Sequence, residues 1–468
     1  MVRKGLPIYC NKIYFDILKQ PLLYLFVRDK SMNNFIIKGN ICFSTSGKEL
    51  KTLLGYAVCK DGKCAGVFNK IPAEFKTYEL YNYGDMLIIP GMVDLHIHAP
   101  QYAFRGIGMD YELIEWLNNR TFPEEAKYAS TEYAKKAYSI FAESLKNSAT
   151  TRACIFATKH RAATEILMDL MENTGLITYV GKINMDRNAP DALVEESTDR
   201  SAYDTFGWLN EIKDRYKRTK PILTPRFIPS CTDALMGELR EIQRAYHLPV
   251  QSHLSENRDE IKWVQELCPD TAFYGDGYDK FNLFGAENLD FEKVNTVMAH
   301  CVWSTDEEVK RMRDNDVFIA HCPASNMNLS SGIAPVRKYL DMDMRIGLGS
   351  DVAGGQTESM FRAITDAIQV SKMYRRYIDE NAKPVTFEEA FYMATKGGGE
   401  FFGEVGSFDE GYEFDAVVLD DSILPHPLDL NVRQRIERAV YLSLDLCGGI
   451  KAKYVCGEKI DMRGGCNA

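Results

Sequence analysis

Pro90-Gly91-Met92-Val93-Asp94-Leu95-His96-Ile97-His98 is an apolar run, opened by Pro-Gly, that closes on two histidines one residue apart. Strand side chains alternate between faces, so His96 and His98 point the same way and can serve one cation. A His-x-His pair is weak by itself. It gains weight from residues farther along the chain: His253 with Glu256, then His300, then Asp351, each at the end of its own apolar run. This is enough imidazole and carboxylate to bind a metal and leave one position open, which points to hydrolysis.

Apolar runs recur at Val93–His98, Thr151–Ala157, Ile177–Ile183, Ile222–Phe227, Pro249–His253, Thr296–His300, Val317–His321 and Arg345–Ser350. Helical patterns lie between them at 124–147, 161–173, 233–247, 306–314 and 356–379, with one or two helices expected in 184–221. Eight short strands alternating with helices predict an α/β fold, a (β/α)₈ barrel, spanning residues 91–406. Residues 32–90 read as short strands with turns at Asp61-Gly62 and Tyr83-Gly84-Asp85. That texture returns over 407–468, where Gly411–Leu419, Ala439–Leu442 and Ile450–Cys456 are predicted strands. The two flanks are expected to pair as one small β-sandwich domain built from both chain ends.

Composition narrows the setting. The 468 residues are 45% hydrophobic and 26% charged, as in a soluble globular protein. A net charge of −10 without a basic face argues against nucleic acid as partner. The twelve cysteines are scattered, and Cys59 and Cys64 flank Lys60-Asp61-Gly62-Lys63, the wrong spacing for a zinc ribbon. Reduced thiols in the cytoplasm are the expectation. Residues 1–31 are too interrupted by Asn11, Lys12, Asp16, Lys19 and Gln20 for a signal segment or a membrane span. The folded enzyme is expected to begin near Met32, the preceding segment being an accessory or misassigned extension of unknown role.

In barrels of this kind active-site residues stand at the C-terminal ends of the strands. His96 and His98 end the first predicted strand, His253 the fifth and His300 the sixth, and Asp351 follows the eighth. Three imidazoles and a carboxylate suit Zn²⁺, with Fe²⁺ as the alternative, and a water can complete the coordination. Glu256, three residues beyond His253, is placed to shuttle protons. His160, His247 and His426 lack such partners and receive no role, and His321, followed by Cys322-Pro323, reads as structural.

These residues resemble the amidohydrolase superfamily. The likeness rests on Pro90–His98, Ser252-His253-Leu254-Ser255-Glu256, Ala299-His300-Cys301, the segment from His321-Cys322-Pro323 through Asn326 to Gly332, and Gly349-Ser350-Asp351. Many members hold two metals bridged by a lysine on the fourth strand. Here Ile222–Phe227 carries none, and Lys182 on the third strand reads as structural. The resemblance therefore implies the mononuclear subtype, with His96, His98, His253 and Asp351 as ligands and His300 hydrogen-bonding the attacking water or the substrate.

Within that subtype the sequence is similar to the guanine deaminases, through His98-Ala99-Pro100-Gln101-Tyr102, Trp116-Leu117 with Thr121-Phe122-Pro123-Glu124, and Pro225-Arg226-Phe227. Pro100 stands where that family usually has Ser. The likeness implies a small purine base, guanine, as partner, attacked at C2 by metal-bound hydroxide while Glu256 shuttles the proton and Asp351 assists. It also implies a homodimer. Arg226 would meet the carbonyl oxygen, Gln101 the imidazole edge, and Phe227 and Trp116 the ring faces. Only Gln101, Arg226 and Phe227 separate this reading from related enzymes acting on an adenosine derivative, a pterin or a triazine. A non-catalytic scaffold would be expected to have lost a ligand or the shuttle acid, and all are retained. The His-x-Glu and Pro-Cys-x-x-Cys signature of cytidine deaminases is absent.

Overall fold

A computed structural model describes residues 33–285 and 294–462. The extension expected over residues 1–31 lies outside the described residues.

The first four strands, β1 (Phe35–Ser46), β2 (Glu49–Lys60), β3 (Lys63–Phe68) and β4 (Glu79–Pro90), precede the barrel. The barrel strands are β5 (Met92–His98), β6 (Thr150–Phe156), β7 (Ile177–Gly181) with β8 (Ile183–Asn184), β9 (Thr219–Pro221) with β10 (Thr224–Pro225), β11 (Val250–Leu254), β12 (Thr296–His300), β13 (Phe318–His321) and β14 (Ile346–Leu348). Near the C-terminus come β15 (Ala416–Leu419), β16 (Ile450–Val455) and β17 (Glu458–Lys459).

Two parallel four-stranded sheets, β5-β6-β7-β9 and β11-β12-β13-β14, make up most of the barrel wall. Backbone hydrogen bonds join them into a ring. On one side Leu223 N–H donates to Pro249 O at 2.9 Å and Gln251 N–H to Leu223 O at 3.0 Å. On the other, Asp351 N–H donates to His96 O at 2.8 Å and His98 N–H to Val352 O at 3.1 Å. Every residue of β5, β6 and β12 is buried, as expected of parallel strands covered on both faces.

One irregularity in β5 decides where the histidines point. Its pairing with β6 advances from Asp94↔Ala153 to Ile97↔Ile155, three residues against two. This bulge shifts the alternation. Val93 and Leu95 join the apolar layer of Ile222, Val297, Phe318 and Phe401, while His96 and His98 both reach the functional centre above it.

The helices begin where their caps dictate. Ser130 caps Thr131–Asn147 by accepting from Tyr133 N–H, and Thr305 caps Asp306–Asp314 by accepting from Glu308 N–H. The latter helix has three acidic residues in its first turn and two arginines in its last, complementing its dipole. A single α-helix, Thr198–Ile212, occupies the 184–221 crossover.

The terminal strands form one seven-stranded sheet in the order β17-β16-β15-β4-β1-β2-β3, which joins both flanks of the barrel. Phe35, Ile37, Phe43, Phe414 and Tyr454 pack into a cluster on it. The predicted strand Ala439–Leu442 is not one. It is the end of a helix, Val432–Tyr441, fixed by an Asn431/Gln434 capping box and buried along Ile436, Ala439 and Val440 at helical spacing. The predicted strand Gly411–Leu419 contracts to Ala416–Leu419. All ten cysteines among the described residues are free thiols.

Candidate active site

Side chains from five strand ends converge at the C-terminal mouth of the barrel. His98 Nε2 lies 3.2 Å from His96 Nε2 and 3.2 Å from His253 Nε2. Asp351 Oδ1 stands 3.2 Å from His96 Nε2 and 3.5 Å from His98 Nε2. Four ligands around zinc at about 2.0–2.1 Å stand roughly 3.3 Å apart in a tetrahedron, and these four separations lie close to that spacing. His96, His98, His253 and Asp351 could thus hold a divalent ion.

Surrounding groups fix this geometry. His253 Nδ1 donates to the backbone oxygen of Arg226 at 2.6 Å, which leaves Nε2 as the donor to the centre. Asp94 accepts from the backbone N–H of His96 at 3.1 Å and of Ser350 at 3.0 Å, tying the first barrel strand to the eighth. Gly349 has no room for a side chain, since a Cβ there would lie 2.9 Å from both Cys322 Sγ and His96 Cβ. The backbone is strained where function concentrates. Ser255, His300 and Asp351 take φ values of 46°, 74° and 47°, rare for residues with side chains.

The protonation states favour a cation. Burial lowers the pKa of His96, and burial reinforced by neighbouring imidazoles carries His98 and His253 well below the ordinary value. Burial alone would raise Asp351, but the imidazoles of His96, His300 and His98 outweigh it and hold the carboxyl far below the usual range. Neutral imidazoles beside an ionised carboxylate are the forms in which these side chains bind metal.

Glu256 and His300 form a second layer. Glu256 Oε2 is 3.4 Å from His300 Nε2, and Oε1 accepts from Ser331 Oγ at 2.8 Å. His300 Nδ1 is 2.9 Å from Asn326 Oδ1, and its Nε2 is 3.8 Å from Asp351 Oδ2. Burial raises the Glu256 pKa, favouring a carboxyl that can both take and return a proton.

A cavity opens beside these groups, lined by His98, Gln101, Trp116, Arg226, Phe227, His253, Glu256, His300 and Asp351. His96 sits beside them in the cluster that could hold a metal ion. The structure therefore brings together all ten residues singled out from the sequence. It leaves His321 buried on β13 outside the cluster, and it pairs Lys182 with Glu195 at 2.7 Å in a buried ion pair.

Several neighbours had no signal in the sequence. Phe156 ends β6 and packs its ring against those of His96 and His98, at centroid distances of 4.8 and 4.5 Å. Glu125 accepts hydrogen bonds from both Gln101 and Arg226. Glu260 lines the cavity, and burial together with nearby Glu256 raises its pKa to about 7.

The sequence pattern of the amidohydrolase family matches residues 87–443. A guanine deaminase of Mus musculus is 42% identical over 386 residues, 80% of this chain and 82% of its own length. This chain belongs to the amidohydrolase family, among its guanine deaminases. The guanine deaminase of Escherichia coli K12 is 34% identical over 355 residues, 75% of this chain and 76% of its own. A crystal structure of guanine deaminase from C. acetobutylicum, with guanine bound in its active site, superposes with a TM-score of 0.87 at 46% identity, covering 92% of this chain and all of that one.

Proposed function

We propose that this chain hydrolyses guanine to xanthine and ammonia. The observation that carries the reading is that Arg226 and Gln101 line the same cavity as His98, His253 and Asp351, with His96 beside them, and are joined to each other through Glu125. A planar base can then be held by its polar edges while the carbon bearing the amino group faces the reactive centre. Similarity to guanine deaminases across most of the chain supports the same substrate.

In this mechanism His96, His98, His253 and Asp351 hold one divalent ion, Zn²⁺ in our reading with Fe²⁺ as the alternative. Such an ion supplies Lewis acidity, which lets water react near neutral pH. Glu256 accepts the proton that the water loses and delivers it to the ring nitrogen beside C2 as the new C2–O bond forms. His300 donates a hydrogen bond to the attacking oxygen and steadies the Glu256 carboxylate. Arg226 donates to the C6 carbonyl oxygen, Gln101 meets the imidazole edge, and Phe227 and Trp116 bound the ring faces. The C2–N bond then breaks, a proton passes to the departing amine through Glu256, and ammonia and xanthine leave. Asp351 assists this proton traffic.

The decisive experiment is ammonia release by the purified, metal-assayed protein on guanine, adenine, adenosine, cytosine and a pterin in parallel. Selective release from guanine with xanthine as product is expected; release from another base and none from guanine would overturn the substrate. Metal analysis by mass spectrometry decides between zinc and iron. We further read the enzyme as a cytoplasmic homodimer, which light scattering and cell fractionation test. No helix among the described residues is long and apolar enough to cross a membrane.

A further inference from the structure

The part of the cavity lined by Arg226 and Gln101 is organised by one side chain that no sequence motif marked. Glu125 is buried to 1% exposure on the short helix Phe122–Ala126. Its Oε2 accepts from Arg226 Nη1 at 2.5 Å, and its Oε1 accepts from Arg226 Nη2 at 3.2 Å and from Gln101 Nε2 at 3.0 Å. The same helix places the Phe122 ring 5.3 Å from the Arg226 guanidinium carbon. Arg226 is thus held from two directions by residues three apart, which share a helix face.

The consequence for Gln101 is sharper. Its Oε1 accepts from the backbone N–H of Ala353 at 3.2 Å, while its Nε2 donates to Glu125. A carboxylate can only accept and a backbone N–H can only donate, so the amide has a single orientation. Gln101 then keeps one N–H and one carbonyl lone pair for a ligand, in fixed order. Arg226, with two N–H groups committed to Glu125, keeps three.

We propose that Glu125 is the positioning residue that sets base specificity in this pocket, by locking the Arg226 fork and the donor–acceptor order of Gln101 with one carboxylate. The inference rests on the guanine reading above. A neutral amide at this position would accept with one oxygen only and turn N–H groups toward Arg226 or Gln101. Gln101 would then be held only by the Ala353 N–H, and its donor–acceptor order would be less firmly fixed for the base.

The test compares metal-loaded wild type with Glu125→Gln. Three quantities are read: metal content, guanine kcat/KM, and the Kd of hypoxanthine, which has guanine's carbonyl and imidazole edges but no amino group to hydrolyse. Metal content is expected to stay at wild-type level. Guanine kcat/KM should fall, and hypoxanthine Kd should rise, by about tenfold or more, as for lost hydrogen bonds to a charged group. In a Gln101→Ala/Arg226→Ala background the same substitution should cost no further activity, because Glu125 acts only through those two residues. Should Glu125→Gln fail to fold, Glu125→Asp, which keeps the charge but draws it back by one methylene, carries the same measurements with the same direction of change. A guanine kcat/KM and hypoxanthine Kd within about threefold of wild type, or an undiminished loss in the double-variant background, would overturn this inference alone. Absence of ammonia release from guanine by the metal-loaded wild type would overturn the guanine reading, and this inference with it.

Discussion

Replacing Glu256 by Gln tests the chemistry with the least disturbance of the fold. Glu256 is 4% exposed, its Oε1 accepts from Ser331 Oγ at 2.8 Å, and its Oε2 lies 3.4 Å from His300 Nε2. A glutamine has the same shape, and its carbonyl oxygen can keep the Ser331 bond, so packing is retained. What is lost is the ability to take a proton and give it back. None of the four proposed metal ligands is altered, so the metal should remain. General acid–base groups contribute about 10²–10⁴ in rate, or about 3–5 kcal/mol of barrier, and that loss is expected in kcat. Because the shuttle acts in the transition state, kcat/KM should fall in parallel. The assay is ammonia release from guanine, with metal content and thermal unfolding measured on the same preparation. A kcat within about tenfold of wild type, with full metal, would remove Glu256 from the proton path.

Other substitutions probe separate parts of the molecule. His98→Ala removes the imidazole whose Nε2 lies within 3.5 Å of His96, His253 and Asp351, and should abolish stoichiometric metal binding; a full complement by elemental analysis contradicts the ligand set. Arg226→Ala should lower guanine kcat/KM by about 10²–10³ while metal content holds, and equal loss of both would make Arg226 structural. Arg152→Met strips the buried Asp415 of a partner that donates at 2.7 and 3.2 Å between β6 and the segment entering β15. Urea unfolding should register a loss of about 3–5 kcal/mol, and a change below about 1 kcal/mol would show that the pair contributes little.

The barrel was legible because its strands are buried on both faces and so read as continuous apolar runs. Thr296–His300 begins and ends where the sequence places it. The fourth strand is less distinct: it divides into Thr219–Pro221 and Thr224–Pro225, each closing on a proline that has no N–H to give a ladder. Ala439–Leu442 misleads because four apolar residues carry no period, and the deciding signal lies eight residues upstream at Asn431. The metal-type residues were readable since each lies near or just beyond the C-terminal end of a barrel strand, the position where barrels place their chemistry. Glu125 was not. One of two adjacent glutamates in a five-residue helix looks like a solvated surface residue, and only closure of the barrel brings Arg226, 101 residues away, against it.

This difference in legibility reflects how the site is divided. The groups suited to attack on the substrate sit on barrel strands or just beyond them, in register with their neighbours, and the hydrogen bonds that close the ring also hold their backbones. Gln101, Trp116 and Glu125 belong instead to the long segment between β5 and β6, residues 99–149, whose first part supplies cavity-lining side chains from outside the barrel strands. Arg226 joins the two parts: its backbone oxygen orients His253, while its side chain is gripped by Glu125. A change in that outer segment can therefore alter which base is accepted without moving the His/Asp cluster. Residue 226 serves both parts: its main-chain oxygen orients the His253 imidazole and stays in place when the side chain is replaced, while its side chain lines the cavity, so Arg226→Ala separates the two roles.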